Sequence, residues 1–149
     1  MKKGFRSQAG FTLIEVIIVI LLLGIAAALV VPRGLATAAN HAALDSQTQQ
    51  LAGMARLARE KAMAEGVEYE VIIEAKKCSL EAADGTEAAQ FNIDERVSIV
   101  PQPPLSRTII FDSKGLPQYG GGTIKVETKG EDPESKNLVI NELGMVEIK

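Results

Sequence analysis

The sequence predicts an α+β fold, in which one long N-terminal helix packs on an antiparallel β-sheet head. Three observations carry that expectation. An apolar run from Phe11 to Val31 leads into an Ala-rich segment with helical spacing that ends near Glu65. At Gly66 the hydrophobic period changes from about 3.6 to 2. From Val67 to Lys149, short β-branched segments alternate with turns bearing Gly, Asp and Pro. At 149 residues the chain has room for one modest domain plus an anchor.

The first element is a basic leader. Residues 1–10, MKKGFRSQAG, hold Lys2, Lys3 and Arg6 and no acid. The run that follows, 11–31, is long enough to cross a hydrocarbon core of about 30 Å as a helix. Cations ahead of the span resist translocation, so the N-terminus is expected in the cytoplasm and the remainder exported, with Arg33 the single opposing charge. Two simpler readings compete. A cleaved secretory signal would use the small residues Ala36-Thr37-Ala38, although the apolar run exceeds the usual h-region of about 7–15 residues. A plain single-pass anchor is the other.

Neither accounts for Glu15. An ionised carboxylate in hydrocarbon costs at least about 2–3 kcal/mol and calls for a partner. A cut before Phe11 would create one. The new α-amino group would stand one helical turn away, on the face shared by residues i and i+4. The same cut removes three of the 16 basic residues.

Residues 32–66 form the outer half of the helix. Pro32 cannot donate its backbone hydrogen bond and clashes with the preceding turn, so a kink is expected there. Leu44, Leu51, Met54, Ala55, Ala58 and Ala62 make a narrow apolar stripe, with Arg56 and Arg59 read as surface residues, solvated or salt-bridged. Gly66 is placed to end the helix as a left-handed cap. Extended from Phe11 to Glu65, such a helix would be roughly 80 Å long.

Residues 67–149 are the head. Eight strands are expected: 67–73, 77–82, 90–93, 96–100, 107–111, 123–127, 137–141 and 145–149. Pro101, Pro103 and Pro104 mark a loop or a sheet edge. The short connections imply antiparallel pairing. The lone cysteine, Cys78, cannot form an internal disulfide and is expected to be buried as a small apolar residue.

No catalytic constellation emerges. The chain has one histidine, His41, in a polar stretch and expected to be exposed. Zinc needs three or four N/S ligands and only two candidates exist. Asp112-Ser113-Lys114-Gly115 resembles a calcium loop, but Lys114 occupies a ligand position. Glu131, Asp132 and Glu134 around Pro133 read as a solvated acidic loop, with a calcium site there as the alternative. Gly120–Gly122 lacks the Lys-Ser/Thr of a phosphate loop. The net charge of −3 and the 4% aromatic content speak against nucleic acid and stacked-ring pockets. No enzyme activity, cofactor or metal is expected.

GFTLIEV, from Gly10 to Val16, resembles the type IV prepilin processing motif. The resemblance implies that a prepilin peptidase cuts between Gly10 and Phe11 and that Phe11 is N-methylated. It also makes Glu15 the assembly glutamate and Pro32 the family's helix kink. The order ARLAREKA, VEYEVII, TIIFDSKGLP and NLVINELGMVEIK is similar to the GspH/FimT group of minor pseudopilins and minor pilins, with an FxxxG hairpin and a final Asn-x-x-Gly hairpin. What this implies is a minor pseudopilin of a type II secretion system, or alternatively a FimT-like minor pilin of a type IV pilus. Its partners would be the peptidase, other pilin or pseudopilin subunits and inner-membrane lipid, with the head in the periplasm. FimT-like subunits in DNA uptake carry a basic C-terminus. Here that region holds Glu142, Glu147 and Lys149, so no nucleic-acid partner is expected.

Overall fold

The computed structural model describes residues 12–130 and 132–149, without the side chains of 29–36. The chain divides into two compact units, Met1–Ala38 and Ala39–Lys149, and the single helix α1 (Leu13–Glu65) contributes to each. α1 passes through Pro32, but the side chains around it lie outside the described residues, and the expected kink with them.

In the second unit eight strands follow the helix. They are β1 (Tyr69–Ile73), β2 (Lys77–Ala82), β3 (Glu87–Asn92), β4 (Val97–Pro101), β5 (Thr108–Phe111), β6 (Gly122–Thr128), β7 (Ser135–Ile140) and β8 (Val146–Ile148). All pairings are antiparallel. The eight expected strands are present, shifted by a few residues at their ends.

They divide between two four-stranded sheets, β3-β2-β1-β5 and β4-β6-β7-β8, where a single sheet was expected. The first sheet ends at β5, and local contacts close that strand's outer edge. The Ser106 hydroxyl accepts from Thr108 N–H at 3.2 Å and donates to Thr108 C=O at 2.7 Å, while Gln118 N–H takes Ile110 C=O at 2.9 Å. These contacts occupy the edge of β5 that another strand would need.

One apolar core joins the helix to both sheets. All six stripe residues are buried, together with Ala43, Gln47, Thr48 and Ala52. The alanines at 55, 58 and 62 let the helix backbone approach closely, and Leu51, Leu80, Ile109, Phe111, Ile124 and Leu138 fill the interior. The alternating burial of β1, BiBiB, is the period-2 pattern read in the sequence. α1 ends at Gly66, whose N–H donates to Ala62 C=O at 3.0 Å with φ +71°.

Cys78 is fully buried, with its thiol 3.4 Å from Met54 Sδ. Burial pushes its pKa up to about 12, so almost no thiolate forms near neutral pH. Thiol reagents at pH 8 are therefore expected to leave Cys78 unmodified in the folded chain and to label it fully in denaturant. Rapid labelling without denaturant would contradict this placement.

Candidate functional site

Gly10 and Phe11 lie outside the described residues, as does Glu131. The description begins at Thr12, which caps α1. Its hydroxyl accepts from Glu15 N–H at 3.3 Å, and its carbonyl accepts from Glu15 and Val16 N–H at 3.1 and 3.3 Å. Thr12 fills the N-cap and Glu15 stands in the first turn, where negative charge favours the helix dipole. The sequence reading missed this cap, although Thr-x-x-Glu is a recognisable start signal. Glu15 is exposed.

The rest of this segment is apolar on every side. Leu13 is 80% exposed, Ile14 67% and Ile20 64%, and Val16 to Ile25 resemble them apart from Gly24. A helix apolar all round is stable in water only when something else covers it, namely other helices or lipid. Among the described residues no helix is long and apolar enough to cross a membrane. The described stretch of the expected span, 12–28, is shorter than the roughly 20 residues needed.

In the head, two short motifs singled out in the sequence prove to be one turn used twice. After β5, Asp112 Oδ1 accepts from the N–H groups of Lys114 and Leu116 at 2.9 and 2.8 Å. After β7, Asn141 Oδ1 accepts from Leu143 and Met145 at 3.0 and 2.9 Å. Each turn ends on a glycine in the left-handed region, Gly115 at φ +76° and Gly144 at +75°, which other residues adopt only with strain. Gly144 lies directly against the carbonyl of Gly115, and Arg59 closes the junction by donating to that carbonyl at 3.3 Å. Arg56 donates to Val146 C=O at 3.0 Å. Both arginines therefore tie the helix to hairpin backbone: Arg56 is exposed and Arg59 half-buried, in keeping with the surface reading, and the acceptors they find are carbonyls rather than carboxylates. Asp112 is a turn cap, which accounts for a carboxylate in a loop that resembled a calcium site.

At residues 39–45 the helix meets the other end of the head through charge. His41 Nδ1 pairs with the Glu134 carboxylate, and Lys136 reaches Asp45 at 2.7 Å. Arg96 donates to Ala39 C=O at 3.3 Å and pairs with Asp94 at 2.7 Å, holding that carboxyl down to about 2. His41 is exposed, as expected. Among the described residues, no three His, Cys, Asp or Glu side chains gather closely enough to hold a metal ion.

A family model described as the prokaryotic N-terminal methylation motif matches residues 5–31. No curated protein matches the chain in sequence. Among solved structures the chain resembles the type IV minor pilin FimU of Pseudomonas aeruginosa, with TM-score 0.61, 17% identity, and coverage of 71% of this chain and 87% of that one. It also resembles the minor pseudopilin EpsH from the type 2 secretion system of Vibrio cholerae, with TM-score 0.59, 17% identity, and coverage of 71% and 95%. The fold is thus pilin-like, and the N-terminus carries the methylation motif.

Proposed function

We propose that the chain is a non-enzymatic minor pseudopilin of a type II secretion system. It would be made with a leader ending at Gly10, cut by a prepilin peptidase, N-methylated at Phe11, and assembled through its N-terminal helix into a pseudopilus seated in the inner membrane. The observation that carries this reading is a helix apolar on every face, interrupted by one carboxylate, within the residues 5–31 that match the methylation motif. Glu15 then serves as counter-ion to the new amine of its own or a neighbouring subunit. The periplasmic head supplies contact surface and no chemistry.

A second reading, minor pilin of a type IV pilus, is favoured by the likeness to FimU, which matches as well as EpsH does. Deleting the gene separates the two. Loss of enzyme secretion with intact pili supports the first, and loss of pili with intact secretion the second. Processing is tested directly by mass spectrometry of the mature chain, which is expected to begin at methylated Phe11. A terminus at Ala39 or Asn40 would restore the secretory-signal reading.

A further inference from the structure

The four outer strands of the two sheets do not present equal edges. Antiparallel residues alternate between bonding their partner strand and facing outward, so the bonds flanking each ladder fix which groups face out. Lys129 N–H to Arg96 C=O (2.7 Å) and Gln102 N–H to Thr123 C=O (2.8 Å) place Ser98 and Val100 toward β6. Val97, Ile99 and Pro101 therefore face outward from β4.

The other edges are blunted in part, although Gln90 of β3 and Ile148 of β8 also face outward without a side-chain cap among the described residues. Ser106 and Gln118 occupy β5, as described above. Arg56 takes the outward Val146 C=O of β8, a strand of three residues. The Gln47 amide reaches the outward Asn92 C=O of β3 at 3.4 Å, and that ladder is bulged between Leu80 and Glu81. Side-chain caps, short strands and bulges are the usual means of blunting an edge. On β4, Val97 N–H is taken by Asp94 C=O at 2.9 Å and Pro101 has no N–H. Among the described residues, nothing meets the N–H or C=O of Ile99.

Space lies along that edge. Two cavities of about 280 and 210 Å³ flank β4, one reaching Pro101 and Leu105, the other Val97 and Lys129; both are lined by Ser98, Ile99 and Arg107. Arg107 is exposed and has no ion-pair partner among the described residues. In a chain of net charge −3, Arg107 is the only charged residue lining the first cavity, and in the second Arg107 and Lys129 outnumber the single acid, Glu74.

We propose that the β4 edge accepts a short extended segment of another assembly subunit, paired through Ile99 and carrying a carboxylate that meets Arg107. Strand addition of this kind takes its affinity from main-chain bonds and its specificity from side chains beside the slot. Pro101 fixes the register, because the added strand finds no donor beyond Ile99. The inference rests on the assembly role proposed above.

The test is site-specific photo-cross-linking in living cells, with the full chain carrying benzoylphenylalanine at Val100 beside the slot or at Glu147 on β8. The expected result is one adduct from position 100 and none from 147. The cross-linked peptide should be an acid-bearing segment of a different subunit. Ile99→Pro, which loses no β4–β6 bond, and Arg107→Glu should each weaken the adduct at least about fivefold. A Lys substitution of the partner's acid should restore it in the Arg107→Glu background. No adduct at position 100, equal adducts at both positions, a dimer of this chain, or indifference to both variants would overturn the proposal. Maturation at Phe11 and incorporation into the assembly are scored in the same cells. A mature, incorporated chain that fails to cross-link refutes the slot alone, whereas a chain that is neither refutes the assembly reading.

Discussion

Gly144→Ala is expected to destabilise the head by about 3–4 kcal/mol, whereas Gly115→Ala should cost about 2 kcal/mol. Both glycines sit at nearly the same positive φ, so both substitutions carry the same backbone strain of about 1–2 kcal/mol. They differ in what the new methyl group meets. At Gly115 it meets Met63 Sδ and Cγ at 2.8 and 2.9 Å, the mobile part of a flexible side chain. At Gly144 it runs into the carbonyl oxygen of Gly115 and sits 3.1 Å from Arg59 Cδ and Nε, so backbone must move and the Arg59 hydrogen bond with it. The measurement is urea and thermal unfolding of the unit 39–149, which holds the whole buried core; cooperative unfolding of the parent fragment is the first check. A drop in melting temperature of roughly 10–15 °C is expected for Gly144→Ala. Equal effects of the two substitutions would mean that the turns do not pack on one another as described.

Glu15→Val should leave leader removal intact and abolish incorporation. An apolar side chain enters the bilayer more easily than a carboxylate by about 2–3 kcal/mol, so insertion itself should improve. What is lost is a partner for the amine exposed by processing. If the pairing is worth a similar amount, incorporation should fall about 30-fold or more. Cross-linking of variant and parent to neighbouring subunits, with processing followed by gel shift, reads both quantities. Normal incorporation with normal processing would remove the role assigned to Glu15. Defective processing would assign it to the peptidase instead.

Much of this was legible from periodicity. The stripe Leu44–Ala62 is visible because helical spacing repeats over five turns, and β1 because it alternates strictly. The division into two sheets was not legible. The first sheet ends where Ser106 and Gln118 close one edge of β5, contacts that no hydrophobic pattern records. The carbonyl partners of Arg56 and Arg59 are hidden for a related reason: a cation on a helix surface looks merely solvated until the chain some 56 to 90 residues away returns its carbonyls. Glu15 stands out because a lone carboxylate in an apolar run is costly, while Thr12, three residues before it, draws no attention by hydropathy although it caps the helix. The twin turns were seen as two separate motifs. Their equivalence lies in Asp112 and Asn141 offering the same oxygen to the same two N–H groups, which Asp and Asn side chains can do alike.

The arginine ties also bear on timing. Closing a loop across 90 residues, as Arg56 to Val146 does, costs entropy that grows with the logarithm of its length, and folds built on such distant contacts form slowly. In the exported subunit proposed above, the N-terminal helix would emerge first and the hairpin holding Gly144 and Val146 last. Until those residues arrive the stripe from Leu44 to Ala62 has no completed sheet to lie on, and the proposed subunit would reach the periplasm with it as bare amphipathic helix. Translocation speed, rather than final stability, then sets how long that surface stays open to other subunits and to proteases.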